Sequence, residues 1–340
     1  MKLDTQTSQP LQTGTHTPRR QRLSTKMRVT LGALVVCVLL LGAFGGYLLL
    51  RPQVQPLKLP KVPAQLTLAD IGLADWQQYQ QPAPADPLHS ALLPEKPQVT
   101  VALASIEDAA GLALVHEGQL EPGLAYLKAA VQASPDNLRY ANDYRITLRD
   151  HKRYQEEEQF FSQLLKAHTS VNLQLDLALS YVDEMRSCPT PPDGLVCQAQ
   201  FSSRSVSLLD IALEKQPYNI VARYARGLNN LYWPTLMGHL PQSQTDLQYA
   251  VSLLTPLNAM RHSFTPEAYA ALGDVFAKSS KLDDARNVWL NGQRVAPDAA
   301  ILKQRLSIPR DQLVNDEDSS LRGLGVYVDT DIALFWSATK

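Results

Sequence analysis

Hydrophobic and polar positions change rhythm several times along these 340 residues. From Val29 to Leu50, 22 consecutive residues pass without a charge, flanked by Arg28 and Arg51. At ~1.5 Å rise per residue that is roughly 33 Å of helix, enough to cross a bilayer core. A cleaved leader has a shorter apolar stretch of ~7–15 residues, so residues 29–50 are predicted to be a transmembrane signal anchor. Nine prolines then fall between Pro52 and Pro97, which predicts an extended stalk over residues 51–100. Inside it, Leu66 to Tyr79 reads as one short amphipathic helix. It lies either at the membrane interface, with Trp76 and Tyr79 at headgroup depth, or against the folded part.

Residues 101–308 carry the helical period: Ala and Leu recur at 3–4-residue spacing, connections are short, and Pro follows the apolar-periodic stretches. The segment 309–340 opens polar and acidic. Its last part, from Gly323, reads as two short strands about a turn at Asp329–Asp331, either capping the last helix pair or lying in its groove.

Within the helical region the sequence is self-similar. Gly111, Leu114, Gly118, Gly123, Leu127, Ala130 and Pro135 recur in order and spacing as Gly273, Phe276, Ser280, Ala285, Trp289, Gly292 and Pro297. Small residues let two helices cross closely, and bulky ones fill the space beside the crossing. A second unit, from Leu138, keeps Tyr144, Leu148 and Phe161 but has Arg145 in a small-residue slot. A third, from Asn172, keeps Leu175, Ala178, Val182, Leu209, Ala212 and Pro217, with about twelve extra residues at its central turn. A fourth, from Tyr218, keeps Val221, Tyr224, Ala225 and Leu228, followed by an irregular stretch through Trp233 and Pro234. That stretch is either an exposed patch or a plug between repeats.

This frame resembles the tetratricopeptide (TPR) repeat, a 34-residue helix-turn-helix unit that must stack on neighbours to bury its faces. The resemblance covers about residues 101–302, strongest at the two ends. It implies an all-α, TPR-like helical-hairpin solenoid, here with an N-terminal transmembrane helix and a small C-terminal strand-like segment. The layout also resembles membrane-anchored bacterial TPR proteins that assist secretion, envelope assembly or cytochrome maturation.

Charge sets the topology. Residues 1–51 hold seven Lys/Arg and one acid, and the remainder is net −7. Basic residues crowd before the span, so residues 1–28 are expected as a disordered basic cytoplasmic tail and the C-terminal domain as extracytoplasmic. The acidic ectodomain argues against nucleic acid, which needs a basic face. Gly42 and Gly46 form a small-xxx-small pair through which two spans could pack. Cys188 and Cys197 are the cysteines outside the span, on a Pro/Gly-rich insertion, and an outward-facing domain favours their disulfide.

Chemistry is sparse. Seven histidines are scattered without metal-ligand spacing, and no nucleophile elbow, phosphate loop or dinucleotide fingerprint occurs. No cofactor, no metal and no catalytic residue is nominated; the chain is expected not to be an enzyme. A TPR solenoid implies a concave groove lined by the first helix of each pair, where a partner segment docks. In the repeat frame the groove-facing candidates are Arg139, Asn142, Arg149, Asp176, Asp183, Arg226, Asn229, Asn230 and Asp274. Any of these could equally be an ordinary exposed helix residue. The expected function is an envelope scaffold or adaptor. The competing class is an enzyme or enzyme subunit with its site in the insertions at 186–200 or 231–245.

Overall fold

Three hairpin turns show how the repeat is built. Gly118, Lys152 and Ser280 each adopt the left-handed conformation, with φ of +82°, +59° and +58°. Each closes the preceding helix identically: the next residue's N–H reaches back to the carbonyl of Leu114, Leu148 or Phe276. This double closure of a helix C-terminus reverses the chain within three residues. Gly118 and Lys152 stand 34 positions apart, the period of the repeat.

The computed structural model describes residues 54–254, 264–313, 322 and 326–337. Helices α1 (Ala104–His116) and α2 (Leu120–Ala133) form the first hairpin, α3 (Leu138–Asp150) and α4 (Tyr154–Ala167) the second. They are followed by α5 (Val171–Glu184) with α6 (Leu195–Lys215), then α7 (Ile220–Leu231) with α8 (Leu240–Ser252). Next come α9 (Phe264–Lys278) with α10 (Leu282–Val295), and a closing α11 (Ala300–Ser307). Each second helix packs on the following first helix, and the first helices α1, α3, α5, α7 and α9 contact one another in sequence. Asn137, Ser170 and Asn219 cap α3, α5 and α7, accepting backbone N–H bonds from the first turn. Among the described residues these helices span Ala104 to Ser307.

Close crossing is as the small residues demand. A Cβ on Gly111 would meet the Leu127 side chain at 2.7 Å and the Gly123 carbonyl at 2.9 Å. In the last hairpin, Trp289 is fully buried against Gly273. The third hairpin has no three-residue turn. A 3₁₀ turn (Met185–Ser187) and the Cys188–Cys197 disulfide, Cα atoms 5.8 Å apart, carry the chain into α6.

Two expectations are corrected. The C-terminal part forms no strand among the described residues: 326–331 are irregular and Ile332–Phe335 is a 3₁₀ turn. Its backbone groups bond to helix side chains instead of to a second strand, so no ladder forms. The Pro-rich segment, over its described residues from 54, is not a free stalk. Ile71, Leu73, Trp76 and Tyr79 are buried in the largest apolar core with α5 to α9, and Leu57, Leu59 and Val62 pack beside it. Of the predicted Leu66–Tyr79 helix only the turn Trp76–Tyr79 is helical, and it packs against the folded part. Each large apolar side chain buried there contributes ~1.5–3 kcal/mol, which offsets the ordering of the segment.

The predicted tail 1–28, the span 29–50 and the Gly42/Gly46 pair lie outside the described residues. Among the described residues no helix is long and apolar enough to cross a membrane.

Candidate functional site

The face made by α3, α5 and α7 carries a row of polar residues that helical periodicity alone would leave in water. Those of α3, with Asp183 of α5, are bonded to the segments before the first hairpin and after the last, whereas those of α7 turn toward α6 and α8. At the centre of the face lies Arg145, in the slot where the repeat frame wants a small residue. It is fully buried and donates to Asp183 Oδ2 at 2.5 Å, to Asn142 Oδ1 at 2.9 Å and to the carbonyl of Thr330. An ion pair so enclosed depends on further hydrogen bonds. Thr330 serves both partners, its carbonyl accepting from Arg145 and its hydroxyl donating to Asp183 Oδ1 at 2.6 Å, while Arg145 Nε has no partner among the described residues.

Around this pair sit three further polar side chains, two of them predicted groove residues. Asn142 donates to Asp331 at 2.9 Å and accepts the N–H of Ile332 at 3.1 Å. Arg149 donates to Asp329 and to the Thr330 hydroxyl, both at 3.1 Å. Arg186, on the turn after α5, donates to the Val328 carbonyl at 2.7 Å. Phe335 then stacks on Phe264, with ring centres 4.1 Å apart, and meets the edge of Tyr224, while Trp336 leans on Tyr79.

The other candidates fall elsewhere. Arg139 holds the N-terminal segment, donating to the carbonyls of Tyr79 at 3.1 Å and Gln81 at 2.7 Å. Asp176 is fully buried with no hydrogen-bond partner on either oxygen, and burial pushes its carboxyl up to about 8 against the opposing pull of Arg145. Asp274 receives Arg305 through both oxygens, at 3.0 and 3.1 Å, and Arg322 at 2.9 Å. Arg322 also donates to the Tyr232 hydroxyl, so the chain is pinned before residue 326 as well.

Arg226, Asn229 and Asn230 point toward α6 and α8. Arg226 makes ion pairs with Asp246 and Asp210. Asn229 accepts from Ser202 at 2.6 Å, and Asn230 Oδ1 lies 2.8 Å from His239 Nδ1. Arg226 and Asn230 help line a cavity of about 490 Å³, together with Ser202, Trp233 and His239. Trp233 is buried and donates to Ser202, which makes this stretch a plug between repeats; Leu236 beside it is 90% exposed. Burial lowers the His239 pKa, favouring the neutral ring, and its nearest polar partner is an amide rather than a nucleophile. Among the described residues no group of three or more His, Cys, Asp or Glu could hold a metal ion.

Sequence reasoning missed Arg186, Phe335 and Trp336; of the two places it allowed Trp76 and Tyr79, they take the one against the folded part. For Arg145 a signal existed: a long cation in a small-residue slot must go somewhere, and it goes to the C-terminal segment.

The described residues thus define a helical-hairpin repeat protein whose inner face is filled by its own chain. No protein-family model and no curated protein matches the sequence. Among solved structures the chain is similar to a thermophilic TPR protein of Thermus thermophilus. The identity is 18%, over 60% of this chain and 97% of that one, with a TM-score of 0.45.

Proposed function

We propose that the protein is a non-enzymatic TPR-type scaffold, held in the membrane by residues 29–50, with its repeats outside the cytoplasm, where they bind envelope or secreted proteins. The observation that carries the binding role is the polar inner face of α3 and α5, which with Arg186 holds residues 328–332 through side chains on successive helix turns. The repeat spacing supports the TPR reading. The uncharged 22-residue stretch and the basic residues before it support the anchor and its orientation. The Cys188–Cys197 bridge fits an oxidising compartment.

Crosslinking in intact membranes followed by mass spectrometry tests this. Partner proteins linked to the repeats are expected, together with a reporter fused after Lys340 on the opposite side of the membrane from Met1. A reporter on the same side as Met1 removes the envelope role. Turnover of a substrate by the purified chain alone removes the scaffold.

A further inference from the structure

Five backbone groups of the C-terminal segment are read by side chains from elsewhere in the fold. Arg186 takes the carbonyl of Val328, Arg145 that of Thr330 and Asn142 the N–H of Ile332. Trp76 takes the carbonyl of Phe335 and Gln80 that of Trp336. Such contacts accept any extended peptide. Selectivity comes from three places: a hydroxyl that must donate to Asp183, acids opposite Arg149 and Asn142, and aromatic rings against Phe264, Tyr224 and Tyr79. Arg145, Arg149 and Arg186 surround the segment, with Asp183 and the exposed Asp150 paired to them and Asp143 close to Asp331. Asp329 adds an ion pair to Arg149, and Asp331 accepts a hydrogen bond from Asn142.

We propose that this groove recognises an extended acidic segment of a partner protein, of the pattern Asp-Thr-Asp followed by two adjacent aromatic residues, and that residues 326–337 are its resident, displaceable occupant. The inference rests on the scaffold reading and narrows it to one ligand chemistry. An empty groove would leave the buried Arg145–Asp183 pair without an acceptor and a donor, so the face is satisfied only by an occupant offering both. The resident's outermost contact, Arg149 with the largely exposed Asp329 side chain, is of the weak surface type, which gives a competitor a place to enter. Occupancy in cis acts at an effective concentration in the ~mM range, so a partner segment binds the intact chain with reduced apparent affinity.

The probe is a fluorescent peptide with the sequence of residues 326–337, added to the purified full chain. The Thr330→Arg variant sets a cation against Arg145 and loosens the resident segment. It is expected to bind the peptide at least tenfold more tightly than the unaltered chain. Adding Arg149→Asp, or replacing both peptide aspartates by Asn, is expected to reverse that gain. If Thr330→Arg keeps its helical circular dichroism and melting profile yet binds no peptide, or binds the charge-neutral peptide equally well, the inference is overturned. Should that variant fail to fold, a protease site placed within residues 315–319 and cut after folding replaces it. The labelled peptide must then exchange with the severed segment; failure to exchange overturns the inference. Partners crosslinked in intact membranes solely through α2 or α4 would overturn it too, while leaving the scaffold reading standing.

Discussion

The indole N–H of Trp76 donates to the carbonyl of Phe335 at 2.9 Å, joining positions 259 residues apart inside the helix stack. Through this bond the segment before the first hairpin and the segment after the last brace each other. Both are buried against α7 and α9, so neither is a passive tail.

Removing that brace exposes its worth. Trp76→Phe leaves a buried carbonyl without its donor and is expected to cost ~1–3 kcal/mol, whereas Trp76→Ala adds a cavity and reaches ~3–5 kcal/mol. Urea unfolding followed by circular dichroism measures both, and equal effects from the two substitutions would contradict the hydrogen bond's role.

Arg145→Ala strands Asp183 in the interior and is expected to lose ~3–5 kcal/mol. Restoring the small residue that the repeat frame favours does not help, because the surroundings are built around the cation. In a double-mutant cycle with Asp183→Ala, a coupling below ~0.5 kcal/mol would show the two residues to be independent.

Stability should fall as pH rises. Asp176 has a carboxyl raised by burial to about 8 in the folded state, against an ordinary value of 3.8. The folded chain therefore holds a proton that the unfolded chain releases. The resulting stabilisation is complete below about pH 4 and is lost progressively as pH climbs to about 8. Asp176→Asn abolishes this part of the dependence and is expected to be more stabilising at pH 8 than at pH 5, by ~1 kcal/mol or more. Parallel denaturation curves at the two pH values read the difference; an identical effect at both would refute the assignment.

The Cys188–Cys197 bridge closes a loop between positions nine apart. Replacing both cysteines by Ser is expected to cost on the order of 2–3 kcal/mol by chain entropy, with faster amide exchange confined to residues around 185–204. Global exchange of the solenoid at the new rate would show the bridge to be more than a local staple.

Two glycines separate packing from backbone effects. A Cβ on Gly273 would sit 2.0 Å from Trp289 Nε1, whereas one on Gly118 meets nothing within 4 Å but has φ of +82°. Gly273→Ala is expected to cost ~3 kcal/mol or more, and Gly118→Ala ~1 kcal/mol. Thermal melts rank the two, and the reverse order would place the strain in the turn.

The repeat units were legible because their causes are local. Gly118, Lys152 and Ser280 end their helices by donating three positions back while the next residue donates five back, and Gly111 and Gly273 mark crossings within one hairpin. Asn142, Arg149 and Asp183 were placed on the inner face by the same spacing argument. What they touch was not legible: their partners lie about 150 to 190 residues away along the chain. The segments around Trp76 and Thr330 carry only single turns, Trp76–Tyr79 and Ile332–Phe335, too short to show a period, and side chains of distant residues hold them in place. Sequence alone therefore determined the helices and the hairpin period. Only the tertiary structure decided that the groove they form is closed by the segments before the first hairpin and after the last, since burying those segments depends on a surface that exists only after the hairpins have stacked.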